Sequence, residues 1–262
     1  MWSFDLPPTG RRAHVVLAAF GKGPLAEGGP MPMSAFGVPS APAALAACDV
    51  RTIERATDPA WFDGWRTGSL RAIAERDLPS LEGLDAADQV HLITADVRAP
   101  ADLGYLQTAW ALARYLVARG AALVLDAHAM TFTAGAALPP ADAELDVRRE
   151  VRIVYETDST RSDAGHALHT RGMRKFGAPD LVALCSDADV ALVSKVIETL
   201  ANAIARGGDL GSPRHGVDLG PGLTWYLVED QHGLGNLLQL NNTARVLVDG
   251  AGRDLIGIAA RT

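Results

Sequence analysis

Apolar positions along the chain fall into two periods, and the alternation between them predicts most of the elements. Residues 14–20 form a near-continuous apolar run, Val15 to Phe20 after His14, of the length of a strand buried on both faces. Gly21, Lys22, Gly23 and Pro24 end it, and residues 21–43 are rich in Gly and Pro, which predicts a long loop. Long irregular stretches are uncommon inside domains and often functional. A short helix is expected over 42–48 and a longer one over 60–75, carrying Trp61, Phe62 and Trp65. The clearest unit comes next: a strand over 89–96, a helix over 101–119 and a strand over 121–126. Leu103, Leu106, Trp110 and Val117 share one face of that helix. Strand, helix and strand with short links predict a βαβ crossover.

Pro139, Pro140 and the acidic stretch to Glu144 mark a boundary. Beyond it, 151–156 alternates as a strand does, 181–184 is a second strand, and 186–206 is a helix. Val193, Val196, Ile197, Leu200 and Ile204 line one stripe of that helix, and Gly207-Gly208 closes it. Strands are expected over 224–228, 237–240 and 244–248, with Gly and Asn at 232–236 and 241–242 serving as hairpin turns. The predicted fold class is α+β: two-layer sandwiches with βαβ-type units in two subdomains, residues 1–138 and 145–262. The order of elements suggests that the two are related, although no repeat is seen at the residue level.

Composition narrows the setting. With 262 residues, 48% of them hydrophobic, the chain has material for a real core. A net charge of −7 opposes general affinity for nucleic acid or anionic lipid. Cys48 and Cys185 form no closely spaced pair, so neither a disulfide framework nor a cysteine zinc site is expected. Residues 1–5 show no signal-peptide pattern, and no stretch approaches the roughly 20 apolar residues of a membrane span. A cytoplasmic setting is the expectation, and the abundance of Ala, Arg and Gly suggests a bacterial source.

Most catalytic motifs fail on inspection. Residues 21–26 match GxGxx(G/A), but a dinucleotide site needs a helix to start there, and Gly28, Gly29, Pro30 and Pro32 forbid one. There is no P-loop, HExxH or GxSxG. Arg148-Arg149-Glu150 reads as a solvated charged face, and Trp61 and Trp65, four apart on a helix, as packing residues. Asp126-Ala127-His128 at a strand end reads as a capped turn with a part-buried histidine.

One segment concentrates polar chemistry. Residues 156–180 hold two His, three Arg and several carboxylates. Within it, His169-Thr170-Arg171-Gly172-Met173-Arg174-Lys175-Phe176-Gly177-Ala178-Pro179-Asp180-Leu181 resembles the H-T-x-G-(M/L)-x-x-(F/L)-G-x-P-(D/E)-L signature of bacterial families of domains of unknown function. The resemblance covers about a twentieth of the chain and departs at Ala178, where those families often carry a basic residue. It implies a fold for the C-terminal half and a regulatory or immunity-like role, with no reaction attached.

The residues themselves allow three readings. As architecture, Gly172 and Gly177 supply backbone freedom, Met173 and Phe176 tuck into the core, and Pro179 turns the chain into a strand. As a metal or acid–base site, His166 and His169 would share a helical face, with Glu156, Asp158 or Asp180 adding a carboxylate. An extended backbone would part them. As a ligand site, Arg171, Arg174 and Lys175 would hold an anion such as phosphate or carboxylate, and Asp180 is a further ligand-binding candidate. The expected function is a non-enzymatic binding module that presents 156–180 or 21–43 to a partner; the alternative is a metal-assisted hydrolase or acid–base enzyme using His166 and His169 with Glu156. No cofactor is expected; a protein partner and a homodimer stay open.

Overall fold

The computed structural model describes residues 1–25, 31–39, 42–156, 166–209, 215–218 and 224–255. They form two compact units, Met1–Phe4 with Thr9–Leu145 and Asp5–Pro8 with Asp146–Thr262. The protein is α+β, with one sheet in each unit. No helix among the described residues is long and apolar enough to cross a membrane.

The first unit contains β1 (Arg12–Gly21), α1 (Pro42–Ala46), β2 (Cys48–Glu54), α2 (Pro59–Gly64), α3 (Gly68–Asp77), α4 (Glu82–Asp85), β3 (Gln89–Arg98), α5 (Gly104–Ala118), β4 (Ala121–Asp126) and β5 (Thr131–Ala134). The sheet order is β2-β3-β1-β4-β5, antiparallel throughout. β3 and β4 are therefore parallel but not neighbours: β1 lies between them, and the expected crossover is a split one. The sequence of β1 suits the central place. Ala18 and Phe20 join a core with Phe62, Ala74, Leu78 and Leu84 from α2–α4. Val15, Leu17 and Ala19 point the other way and are equally buried, on the face where α5 packs across β1, β3 and β4. Helices thus cover both faces of this sheet.

Two expectations change here. The helix over 60–75 breaks into α2 and α3 because the backbone leaves the helical region at Thr67 (φ −126°, ψ 169°) and Gly68 (φ 58°); Arg66, at the break, donates to the carbonyls of Leu84, Asp85 and Ala87. β2 escapes a periodicity search because it is an edge strand with little burial to pattern it.

The second unit contains α6 (Val147–Glu150), β6 (Arg152–Glu156), β7 (His166–Arg171), β8 (Asp180–Cys185), α7 (Val190–Ala205), β9 (His215–Asp218), β10 (Thr224–Glu229), α8 (Leu234–Leu237) and β11 (Ala244–Val248). The order is β6-β7-β8-β11-β10-β9, and only β8–β11 is parallel among these described pairs. α7 lays Val193, Val196, Ile197, Ala201 and Ile204 on the β6–β8 end. The strand expected over 237–240 is absent: Leu234–Leu237 is a helical turn, started by Asp230, which accepts the N–H groups of Leu234 and Gly235.

A residue-level repeat does exist. Residues 33–39 (Met-Ser-Ala-Phe-Gly-Val-Pro) and 173–179 (Met-Arg-Lys-Phe-Gly-Ala-Pro) share Met, Phe, Gly and Pro at one spacing. Both form a 3-10 turn closed by a left-handed glycine, Gly37 (φ 78°) and Gly177 (φ 66°). In both, the residue before Pro donates to the Met carbonyl, Val38 to Met33 at 3.0 Å and Ala178 to Met173 at 3.2 Å. Each turn packs on the long helix of its own unit, α5 or α7.

Candidate functional site

The polar segment resolves into a strand and a tight turn. Residues 157–165, with Asp158, lie outside the described residues. β7 pairs with β6 and β8, so His166 and His169, three apart on an extended strand, project to opposite faces. The expected chelating or acid–base pair is not formed. His169 is fully buried, with Nε2 3.0 Å from Glu156 Oε1 and Nδ1 3.4 Å from the Thr170 carbonyl. Burial lowers its pKa, against the pull of Glu156. His166 Nε2 sits 2.7 Å from Asp187 Oδ1, which also accepts the Tyr155 hydroxyl at 3.0 Å. Among the described residues, no group of three His, Cys, Asp or Glu is placed to hold a metal ion.

The three cations expected to hold an anion do not converge on one site either. Arg171 donates to the carbonyls of Leu238 (3.0 Å) and Gln239 (3.3 Å), and Arg174 to that of Asn241 (2.8 Å). Lys175 is fully buried, and its Nζ lies 2.5 Å from Glu150 Oε2. Glu150 is therefore no part of a solvated charged face: it is 3% exposed, one member of a buried ion pair. Asp180 is enclosed as well. Its Oδ1 accepts from Thr170 Oγ1 (3.0 Å) and the Met173 N–H (3.3 Å), and its Oδ2 from Asn242 Nδ2 (3.0 Å). Burial pushes its carboxyl up to about 6, against those hydrogen bonds. Met173 and Phe176 are fully buried, as the architectural reading expects. Gly172 (φ 113°) admits no other residue easily, since a Cβ there would stand 2.4 Å from the Glu150 carbonyl oxygen.

Strand pairing assembles one constellation that sequence spacing hides. Cys185 is directly opposite His166, and Asp187 binds that imidazole, so thiol, imidazole and carboxylate gather at the end of β8. Nucleophilic cysteines need a depressed pKa. Here burial, followed by Asp189 and Asp187, pushes the Cys185 thiol up to about 11, and the residue is fully enclosed. The sulfur stays a protonated, buried thiol.

In the first unit, Asp126 Oδ1 accepts the N–H groups of His128 and Ala129, both at 3.0 Å, which is the capped turn expected from the sequence. Its neighbour was not foreseen: His14 Nδ1, from β1, lies 2.9 Å from His128 Nε2.

An open polar space lies elsewhere in the second unit. A cleft of about 530 Å³ is lined by Pro179, Asn242, Arg245, Glu229, Asp230 and Asn236, among others. The turn forms its wall, because Asn242 Nδ2 donates both to Asp180 and to the Ala178 carbonyl (2.9 Å). Glu229 and Arg245 are cross-strand partners on β10 and β11. No ion pair joins them among the described residues, and Arg245 Nη1 is enclosed with no hydrogen-bond acceptor among those residues. Comparison with protein-family models, curated proteins and solved structures finds no match to this chain. The resemblance at 169–181 thus rests on those residues alone.

Proposed function

We propose that this chain is a non-catalytic binding module, and that the cleft between the 178–180 wall and the β10–β11 end of the second sheet is where it binds. The observation that carries this reading is a contrast. The ionisable groups of the described part of the polar segment are closed on internal partners, whereas Glu229 and Arg245 face one cleft without pairing. Its volume lies in the range of small-ligand sites, roughly 300–1,000 Å³. The enzyme alternative draws on His166 and His169 with Glu156, but the two histidines project to opposite faces of β7 and His169 is buried against Glu156.

The test is backbone-amide NMR of the whole protein, titrated with the small-molecule fraction of a bacterial extract. Shifts confined to residues lining the cleft support the reading. Shifts centred on His166, Cys185 and Asp187, or none anywhere, overturn it.

A further inference from the structure

We infer that the cleft takes a small zwitterion, a carboxylate carried with an ammonium group as in an α-amino acid, and that basic amino acids suit it best. This rests on the binding reading above and adds the class of ligand. Arg245 is the residue that calls for a ligand. A guanidinium nitrogen enclosed without an acceptor carries an uncompensated desolvation cost. Turning the side chain toward the cleft, which it already lines, lets a ligand carboxylate supply the missing acceptor, and the planar fork of Arg favours that partner.

The neighbouring charges decide which carboxylate. Glu229 lies directly across the strand pair from Arg245 and lines the same cleft. An inorganic dianion bound at Arg245 would meet that charge, whereas a ligand bearing an ammonium group beside its carboxylate neutralises both poles. Asp230 adds a second carboxylate. Backbone N–H groups hold its oxygens, and it keeps its negative charge, with its pKa lowered by those hydrogen bonds against desolvation. Two carboxylates and one guanidinium leave the cleft with a net negative charge, so a second cationic group on the ligand is favoured over a second anionic one. Asn236 and Thr243, also in the lining, offer neutral polar groups for the rest of the molecule.

Calorimetric titration of the full chain with L-lysine, glycine, L-glutamate, acetate, methylammonium and inorganic phosphate tests the assignment. L-Lysine is expected to bind most tightly and glycine next. Acetate and methylammonium, each half of the recognition element, should be at least tenfold weaker than glycine. Glu229→Gln and Arg245→Met should each weaken L-lysine at least tenfold, and Arg245→Lys, which keeps the charge and loses the fork, should fall between. Phosphate or L-glutamate binding more tightly than L-lysine overturns the zwitterion class while leaving a working cleft. Silence from every probe, in a protein whose cleft amides do respond to the extract, also overturns the class alone. Silence in both experiments removes the binding reading with it.

Discussion

Removing one member of the Lys175–Glu150 pair should destabilise the second unit far more than removing both. The two groups are 0% and 3% exposed and 2.5 Å apart. At an effective dielectric of ~20, unit charges at that separation attract by about 7 kcal/mol, and the desolvation of two ions offsets much of this. The net worth of the pair is therefore small, while the cost of stranding one charge is large. Lys175→Met removes the ammonium that faces the buried Glu150 carboxylate and should cost about 3–5 kcal/mol; Glu150→Leu removes the carboxylate that faces the buried ammonium and should cost as much. The double variant should cost less than either single one, with a coupling of at least ~2 kcal/mol. Peptide-resolved hydrogen exchange reads this directly, since 3–5 kcal/mol lowers the protection of β7 and β8 amides by more than ~100-fold. Single variants that each cost under ~1 kcal/mol, or a double variant that costs the sum of the two, would refute a coupled buried pair.

Titration of Asp180 and His169 should tilt stability in opposite directions. The Asp180 carboxyl is raised from 3.8 to about 6, so the folded state holds its proton more tightly. Its contribution is complete below pH ~4 and is lost as pH rises towards 6, about 3 kcal/mol in all; Asp180→Asn should abolish that slope in urea midpoints measured from pH 4 to 8. His169, lowered by burial, contributes stability above pH 6.5 that is lost on acidification, and His169→Gln should flatten that fall in the same series. Neither thiol should react with iodoacetamide at pH 8 in the folded protein, because burial pushes Cys48 up to about 12 and Cys185 to about 11; intact-mass analysis showing rapid labelling of either would contradict the burial argument. Gly172→Ala should cost more than the ~1–2 kcal/mol of a left-handed alanine, since the added methyl meets the Glu150 carbonyl, and a thermal melt unchanged within a degree would refute that contact.

Legibility in the sequence followed burial. β1, α5, α7 and β11 were readable because each buries a stripe or a run, and a buried stripe imposes a period. β2 carries little burial and so little period, and β7 was obscured because its polar side chains are satisfied by partners rather than by water. The turn at 173–179 was readable from Gly, Met, Phe and Pro, whereas its twin at 33–39 was lost in a Gly- and Pro-rich stretch. The site was hardest. His166, Cys185 and Asp187 are brought together by strand register, and Glu229 and Arg245 by a different register, and no spacing along one chain encodes either. The burial of Lys175 is hidden for a related reason: charge predicts solvent unless the partner is known, and Glu150 lies 25 residues away.

The assignment of Asp5–Pro8 to the second unit has a consequence in time. These residues are synthesised with the first unit, yet the Asp5 N–H donates at 2.7 Å to the carbonyl of Arg206. At ~5–20 residues per second, a ribosome supplies that carbonyl on the order of tens of seconds later, after every strand of the first sheet has emerged. The first sheet therefore has all its strands while a segment between residues of the first unit still waits for a dock. For the same reason the break at Leu145 is not a clean place to divide the protein: a fragment of residues 146–262 carries all of the second sheet and lacks the amide that Arg206 accepts.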